Sequence, residues 1–217
     1  MMIEEIKKDA LKKDVPIIKD EGLIFLLDLI KEKKFKNILE LGTAVGYSSI
    51  NMAKIDKSIQ IDTIEKNEEM YKQAIINIKN ECLDDQIKVH FLPIEEYSTD
   101  KMYDFIFVDA AKAQYGKYLE QFLANLNENG YVLFDNMVFH NMIYDIGSIK
   151  SKNTRNLVKK IVNFREKMLN DSRFDIIFYD NIGDGLLLLT RRHWWKLEML
   201  LCWVLLKRQK SILLKTL

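Results

Sequence analysis

Two hydrophobic periods alternate along this chain. Apolar residues three or four apart mark amphipathic helices, and short unbroken apolar runs mark strands covered on both faces. Residues 3–13 carry Ile3, Ile6, Ala10 and Leu11 among charges, the pattern of a surface lid or packing helix. Val15-Pro16-Ile17-Ile18 is a proline-stiffened crossing suited to plugging a core. Leu23, Leu26, Leu27 and Ile30 then form the buried stripe of a helix over 21–33. The apolar run Ile38, Leu39, Leu41 ends in Gly42 and Gly46, and Ser48 and Ser49 suit the start of a helix reaching about residue 54. Further runs predict strands over 60–65, 86–92, 103–109 and 130–135, with helices over 67–82, 114–126 and 154–169 between and after them. Residues 174–190 read as two strands around Gly183-Asp184-Gly185. This alternation predicts an α/β fold, a mainly parallel sheet with helices on both faces, closed by an antiparallel hairpin.

In such sheets ligands bind outside the carboxyl ends of the strands, and Glu40, Glu65, Asp109, Asp135 and Asn136 all fall there. The turn Gly42-Thr-Ala-Val-Gly46 lets a ligand approach the main chain, and the helix start beyond it offers free N–H groups. Its spacing is neither the dinucleotide fingerprint nor a phosphate loop. Glu40 would repel a pyrophosphate but can accept from an ammonium, such as the amino-acid end of S-adenosylmethionine. Glu65, at the end of the second strand and some 20 residues after the turn, stands where a ribose diol is held in doubly wound sheets. A solvated strand-end acid is the plainer alternative for Glu65.

Composition narrows the class without choosing the chemistry. The 217 residues are 48% apolar and 30% charged, which fits one globular domain, and no repeat or low-complexity linker interrupts them. Cys82 and Cys202 lack metal-ligand or redox spacing and read as reduced thiols. The charged, helix-patterned beginning does not read as a secretory signal, so the expected location is the cytoplasm. Residues 191–217 hold seven Lys and Arg against Glu198, net +6, which leaves 1–190 at −5. An acidic body argues against strong non-specific nucleic-acid binding, though not against a local basic patch. The division expected is a catalytic domain over 1–190 and a basic extension over 191–217. Trp194, Trp195 and Trp203 in that extension are all the tryptophans of the chain. Its apolar run 197–206 is broken by Glu198 and too short for a bilayer, which needs about 20 residues, so stable membrane insertion is not expected. It suits an amphipathic basic helix for a membrane surface, RNA or a neighbouring subunit, or an extension added by frameshift or fusion; the break in composition favours the added extension.

Asp109, Asp135 and Asn136 offer hard oxygen ligands from adjacent strand ends, a composition suited to Mg²⁺. Turn capping is the simpler use of Asp135 and Asn136. Lys112, three residues after Asp109, can reach the same rim, where a divalent cation would favour the neutral amine that a general base needs. A solvated surface lysine is the plain alternative.

The stretches ILELGTAVGYSSINMA, IDTIEKN, YDFIFVDAAKAQYGKYLE, GYVLFDNMVFHN and IGDGLLLL occur in this order over most of residues 14–190. Together they resemble the cation-dependent class I S-adenosylmethionine O-methyltransferases, which include catechol and caffeoyl-CoA O-methyltransferases. Within that family, Phe107-Val-Asp-Ala-Ala-Lys-Ala-Gln-Tyr115 with Asp135-Asn-Met-Val-Phe139 is most similar to bacterial tRNA 5-hydroxyuridine O-methyltransferases. The resemblance implies a Rossmann-like seven-stranded sheet of order 3-2-1-4-5-7-6, its last strand antiparallel. It implies that Val15, Glu40, Gly42, Ala44, Ser48, Glu65, Asp109 and Ala110 hold S-adenosylmethionine. It further implies that Asp109, Asp135 and Asn136 hold Mg²⁺ or Mn²⁺, and that Lys112 is the base. The acceptor it implies is the wobble nucleotide of a tRNA anticodon loop, with a small catechol-like hydroxyl compound as the alternative, and the assembly a homodimer. The amphipathic stretches 3–13 and 137–150 suit an interface, and Lys150, Lys152, Arg155 and Lys159 suit phosphate contacts. One departure stands out: the family's small-acidic pair after the third strand, which receives the adenine, is replaced here by Leu92-Pro93-Ile94-Glu95.

Overall fold

In the computed structural model, which describes residues 3–192, the apolar runs become seven strands: β1 (Asn37–Leu41), β2 (Gln60–Glu65), β3 (Ile87–Phe91), β4 (Tyr103–Val108), β5 (Leu126–Phe134), β6 (Phe174–Tyr179) and β7 (Leu186–Arg191). They form one sheet of order β3-β2-β1-β4-β5-β7-β6. The pairs from β3 to β5 are parallel, and β7 is antiparallel to both its neighbours, as the hairpin pattern predicts. The period of two decides which layer each side chain joins. Ile38, Phe105 and Phe107 face a layer with Leu26 and Ile30 of α2 (Asp20–Lys33), Ile50 of α3 (Tyr47–Ala53) and Ile78 of α4 (Glu68–Asn80). Leu39, Ile106 and Val108 face the other, with Tyr115 and Phe122 of α5 (Tyr115–Phe122) and Ile161 and Phe164 of α6 (Lys152–Leu169). The first helix, α1 (Ile3–Lys12), buries Ile6 and Ala10 against the first layer.

Strand order reverses between β1 and β4, so the turns leaving these two strands part to opposite faces and leave a crevice at their carboxyl ends. Two boundaries differ from the pattern. The helix expected over 114–126 stops at Phe122 and passes through a 3-10 turn, Leu123–Asn125, into β5, which starts at Leu126 rather than at Gly130. Leu126 is fully buried opposite Tyr103, and the register shifts between Tyr103 and Phe105. The polar Asn127-Glu128-Asn129, which falls between the predicted helix and the predicted strand, is therefore the irregular opening of a strand. At the other end β7 runs through Arg191, whose guanidinium donates to the Leu126 carbonyl, and Arg192 pairs with Asp175. The last strand thus takes in Arg191, one residue beyond the expected boundary at 190, and the readings placed on 193–217 fall outside the described residues. Among the described residues no helix is long and apolar enough to cross a membrane.

Candidate active site

Outside the carboxyl ends of β1, β2 and β4 lies a cavity of about 400 Å³, lined by Val15, Gly42, Ala44, Ser48, Glu65, Asp109, Ala110 and Lys112 among others. All but three of the site residues expected from sequence meet there. Gly42 has φ +105°, and a Cβ on it would lie 2.2 Å from the Asp109 carbonyl oxygen. Only glycine lets the turns leaving β1 and β4 touch. Glu65 accepts from the Ala44 N–H at 2.9 Å with one oxygen and from the Asn67 N–H at 2.7 Å with the other. Asn67 in turn caps α4 by accepting from Met70 N–H. The Glu65 carboxylate is thus fixed at the cavity wall between the turn after β1 and the start of α4.

Glu40 lies behind the lining rather than in it. Its carboxylate is wholly buried and accepts from Ser48 Oγ at 2.5 Å, from Thr63 Oγ1 at 2.6 Å and from Ser49 Oγ. Burial pushes this carboxyl up to about 7, against the pull of the three hydroxyls. The group that reaches the cavity is Ser48, whose proton is committed to Glu40 and whose remaining lone pairs can accept.

The far wall holds residues that the sequence reading did not assign to the site. Pro16, Ile17 and Ile18 line the cavity beside Val15, so the crossing before α2 is a wall of the site as well as part of the core. Met70, Ile94, Glu95 and Tyr118 complete it. The Gln121 amide donates to the Ile94 and Tyr97 carbonyls and holds the 3-10 turn Ile94–Glu96 in place. Pro93 marks this turn in the sequence, but which side chain would face inward depends on α5 packing beneath it.

The acids of β4 and β5 sit side by side. Val108 pairs with Phe134, so Asp109 and Asp135 leave adjacent parallel strands together, and the Asp135 N–H donates to the Val108 carbonyl. Burial raises both carboxyls, and the charge of Asp109 raises Asp135 further. Lys112 Nζ stands 3.8 Å from Asp109 Oδ1 and opposes the rise. Asn136, at φ +58°, donates its N–H to Asp135 Oδ1. Among the described residues no three or more His, Cys, Asp and Glu side chains gather as a metal cluster; the strand-end set is two aspartates and an amide. A buried and a partly buried carboxylate with one lysine nearby are short of positive charge, so this donor set fits a hard divalent cation. One further acid meets this rim, Asp184 in the turn before β7, which the sequence suggested only as a turn residue. Of the expected phosphate contacts, the Arg155 guanidinium is engaged by the Ile149 carbonyl, whereas Lys150, Lys152 and Lys159 are exposed.

A doubly wound sheet of this order, with a cavity at its switch point and an acid closing β2, defines the Rossmann-like methyltransferase class. The family model described as O-methyltransferase matches residues 1–192, and the chain belongs to that family. It is an S-adenosylmethionine-dependent O-methyltransferase. A Staphylococcus aureus protein provisionally assigned as a caffeoyl-CoA O-methyltransferase superposes with a TM-score of 0.85 at 36% identity, over 88% of this chain and 93% of that one. An O-methyltransferase from Bacillus cereus in complex with SAH gives 0.74 at 25% identity, over 88% and 90%. The caffeoyl-CoA O-methyltransferase of Populus kitakamiensis is 29% identical over 207 residues, 87% of this chain and 86% of that protein.

Proposed function

We propose that this enzyme is cation-dependent and methylates a hydroxyl that has a second oxygen beside it, and that its acceptor is 5-hydroxyuridine in a tRNA anticodon loop. The observation that carries the reading is the pairing of Asp109 and Asp135 at adjacent strand ends with Lys112 3.8 Å from Asp109, on the rim of the cavity that Glu65 and Ser48 line. Glu65 would take the ribose diol. Ser48, polarised by Glu40, would accept from the ammonium of the methionine part. The apolar slot of Met70, Ile94 and Tyr118 would hold the adenine ring, with the Glu95 carboxylate placed to accept from its exocyclic amine. Asp109, Asp135 and Asn136 would hold Mg²⁺ or Mn²⁺, whose charge would make an oxygen pair on the acceptor more acidic and align it. Lys112 would take the hydroxyl proton as the oxygen bonds to the methyl carbon and the carbon–sulfur bond breaks, leaving S-adenosylhomocysteine, and the cavity walls would keep water from competing.

A 5-hydroxyuridine presents O4 and the 5-oxygen as neighbours, and a catechol presents the same pair. The choice of tRNA is supported by the residue pattern around Asp109 and Asp135 and by the exposed Lys150, Lys152 and Lys159 beyond the loop after β5. The names of the caffeoyl-CoA relatives favour the small molecule. Nucleoside mass spectrometry of tRNA from a strain lacking the gene separates them: loss of 5-methoxyuridine-type nucleosides is expected, and an unchanged nucleoside profile would assign the enzyme to a small acceptor. A homodimer, with both amphipathic stretches near the mouth, belongs to the same proposal and is read by light scattering.

A further inference from the structure

The loop leaving β5 is held in an unfavourable backbone conformation at a buried carboxylate. Asn136, Phe139, His140 and Asn141 all have φ between +46° and +63°, a region that costs side-chain-bearing residues energy unless their surroundings enforce it. Asp184 supplies much of that enforcement. It is 5% exposed, and its backbone carbonyl accepts from the Val138 N–H at 2.9 Å. Its carboxylate accepts from the His140 N–H at 2.7 Å through Oδ1 and from Asn136 Nδ2 at 3.3 Å through Oδ2. Lys19 Nζ and His140 Nδ1 approach Oδ1 at 3.5 and 3.8 Å.

A carboxylate only accepts, so it decides which way the Asn136 amide turns. The nitrogen must face Asp184, which leaves the oxygen without that partner and free to serve as a ligand. We infer that Asp184 is a positioning residue for the cation site, which fixes the Asn136 amide with its oxygen available as a ligand and holds the strained loop that carries it. This rests on the cation reading above. The remaining ties of the loop, Met137 N–H to the Gly185 carbonyl and Arg165 to the Met137 carbonyl, do not involve the Asp184 side chain, so Asp184→Asn should fold.

In Asp184→Asn one acceptor becomes an NH₂ group. The oxygen of the new amide can still serve His140, but its nitrogen then faces the Asn136 nitrogen and drives that amide to flip, which puts a non-ligating NH₂ in place of the free oxygen. The measurement is Mn²⁺ binding by calorimetry to the cofactor-free protein, with S-adenosylmethionine affinity as the control. Asp184→Asn should weaken Mn²⁺ by roughly 10- to 100-fold, the usual effect of losing a ligand-orienting partner, and change cofactor affinity less than threefold. In an Asn136→Asp background the same substitution should cost nothing or bring a gain, because a carboxylate at 136 accepts from an amide at 184. An equal loss in both backgrounds would reduce Asp184 to general support of the fold, and an unchanged Mn²⁺ affinity in the single variant would also overturn the inference. A wild-type protein that bound no Mn²⁺ would instead refute the cation reading itself, and this inference with it.

Discussion

Replacing Glu40 by Gln tests the electrostatic design beneath the cofactor cavity. In the folded chain this carboxyl holds its proton to about 7, whereas an ordinary one releases it near 4.5. Between those values the folded state binds more protons than the unfolded state, so stability falls as pH rises through the window and levels off above 7. At about 1.4 kcal/mol per pH unit, the group removes roughly 3 kcal/mol between pH 4.5 and 7.5. Gln does not titrate, and the hydroxyls of Ser48, Ser49 and Thr63 can rotate to match it. Urea unfolding of both proteins from pH 5 to 8 should therefore show Glu40→Gln gaining on the wild type by most of that amount. The substitution also reverses Ser48, which would accept from the new amide and aim its proton into the cavity. Cofactor affinity should drop roughly 10- to 100-fold, the value of a hydrogen bond to a charged group. A stability difference that stayed constant across this pH range would refute the reasoning about burial. Unchanged cofactor affinity would remove Glu40 and Ser48 from the ammonium site.

Lys112→Ala should lower turnover by about two to four orders of magnitude with little effect on cofactor affinity, as expected for a general base; single-turnover kinetics beside calorimetry separate the two. Glu65→Ala should do the reverse, weakening S-adenosylmethionine by roughly 10-fold or more, because it removes the ribose acceptor and frees the Ala44 and Asn67 N–H groups that shape the wall. Activity on tRNA should fall steeply between about 50 and 200 mM salt while activity on the free nucleoside holds, if Lys150, Lys152 and Lys159 touch phosphates. Equal salt dependence of both acceptors would take these lysines out of the interface.

The strands and their mainly parallel pairing were legible because they follow from local rules, whereas the strand order came from the family resemblance. Unbroken runs such as Phe105–Val108 can only be central strands, and the alternation with helices forces parallel neighbours and a crevice at their carboxyl ends. The strand-end acids were legible for the same reason: a charge that closes an apolar run has nowhere to go but the rim. What stayed hidden depends on packing across the chain. Nothing local tells that Asn127-Glu128-Asn129 extends the strand; Leu126 does so by filling the space opposite Tyr103. Glu40 suggested direct contact with a ligand, yet the hydroxyls of α3 and β2 close over it and leave Ser48 in front. Ile94 and Tyr118 join the cavity only because Gln121 of α5 holds the turn after β3. Asp184 looked like one more turn residue, since its partners, Asn136 and His140, are more than 40 positions away in sequence.

The role proposed for Asp109, Asp135 and Asn136 is to hold a cation needed for transfer but not for cofactor binding. Its most direct test follows methyl transfer from S-adenosylmethionine to tRNA carrying 5-hydroxyuridine, using enzyme stripped with EDTA and then resupplied with Mg²⁺, with cofactor binding recorded on the same samples. The stripped enzyme should bind the cofactor normally and transfer nothing, and Mg²⁺ should restore transfer. Full turnover by the stripped enzyme would contradict the claim.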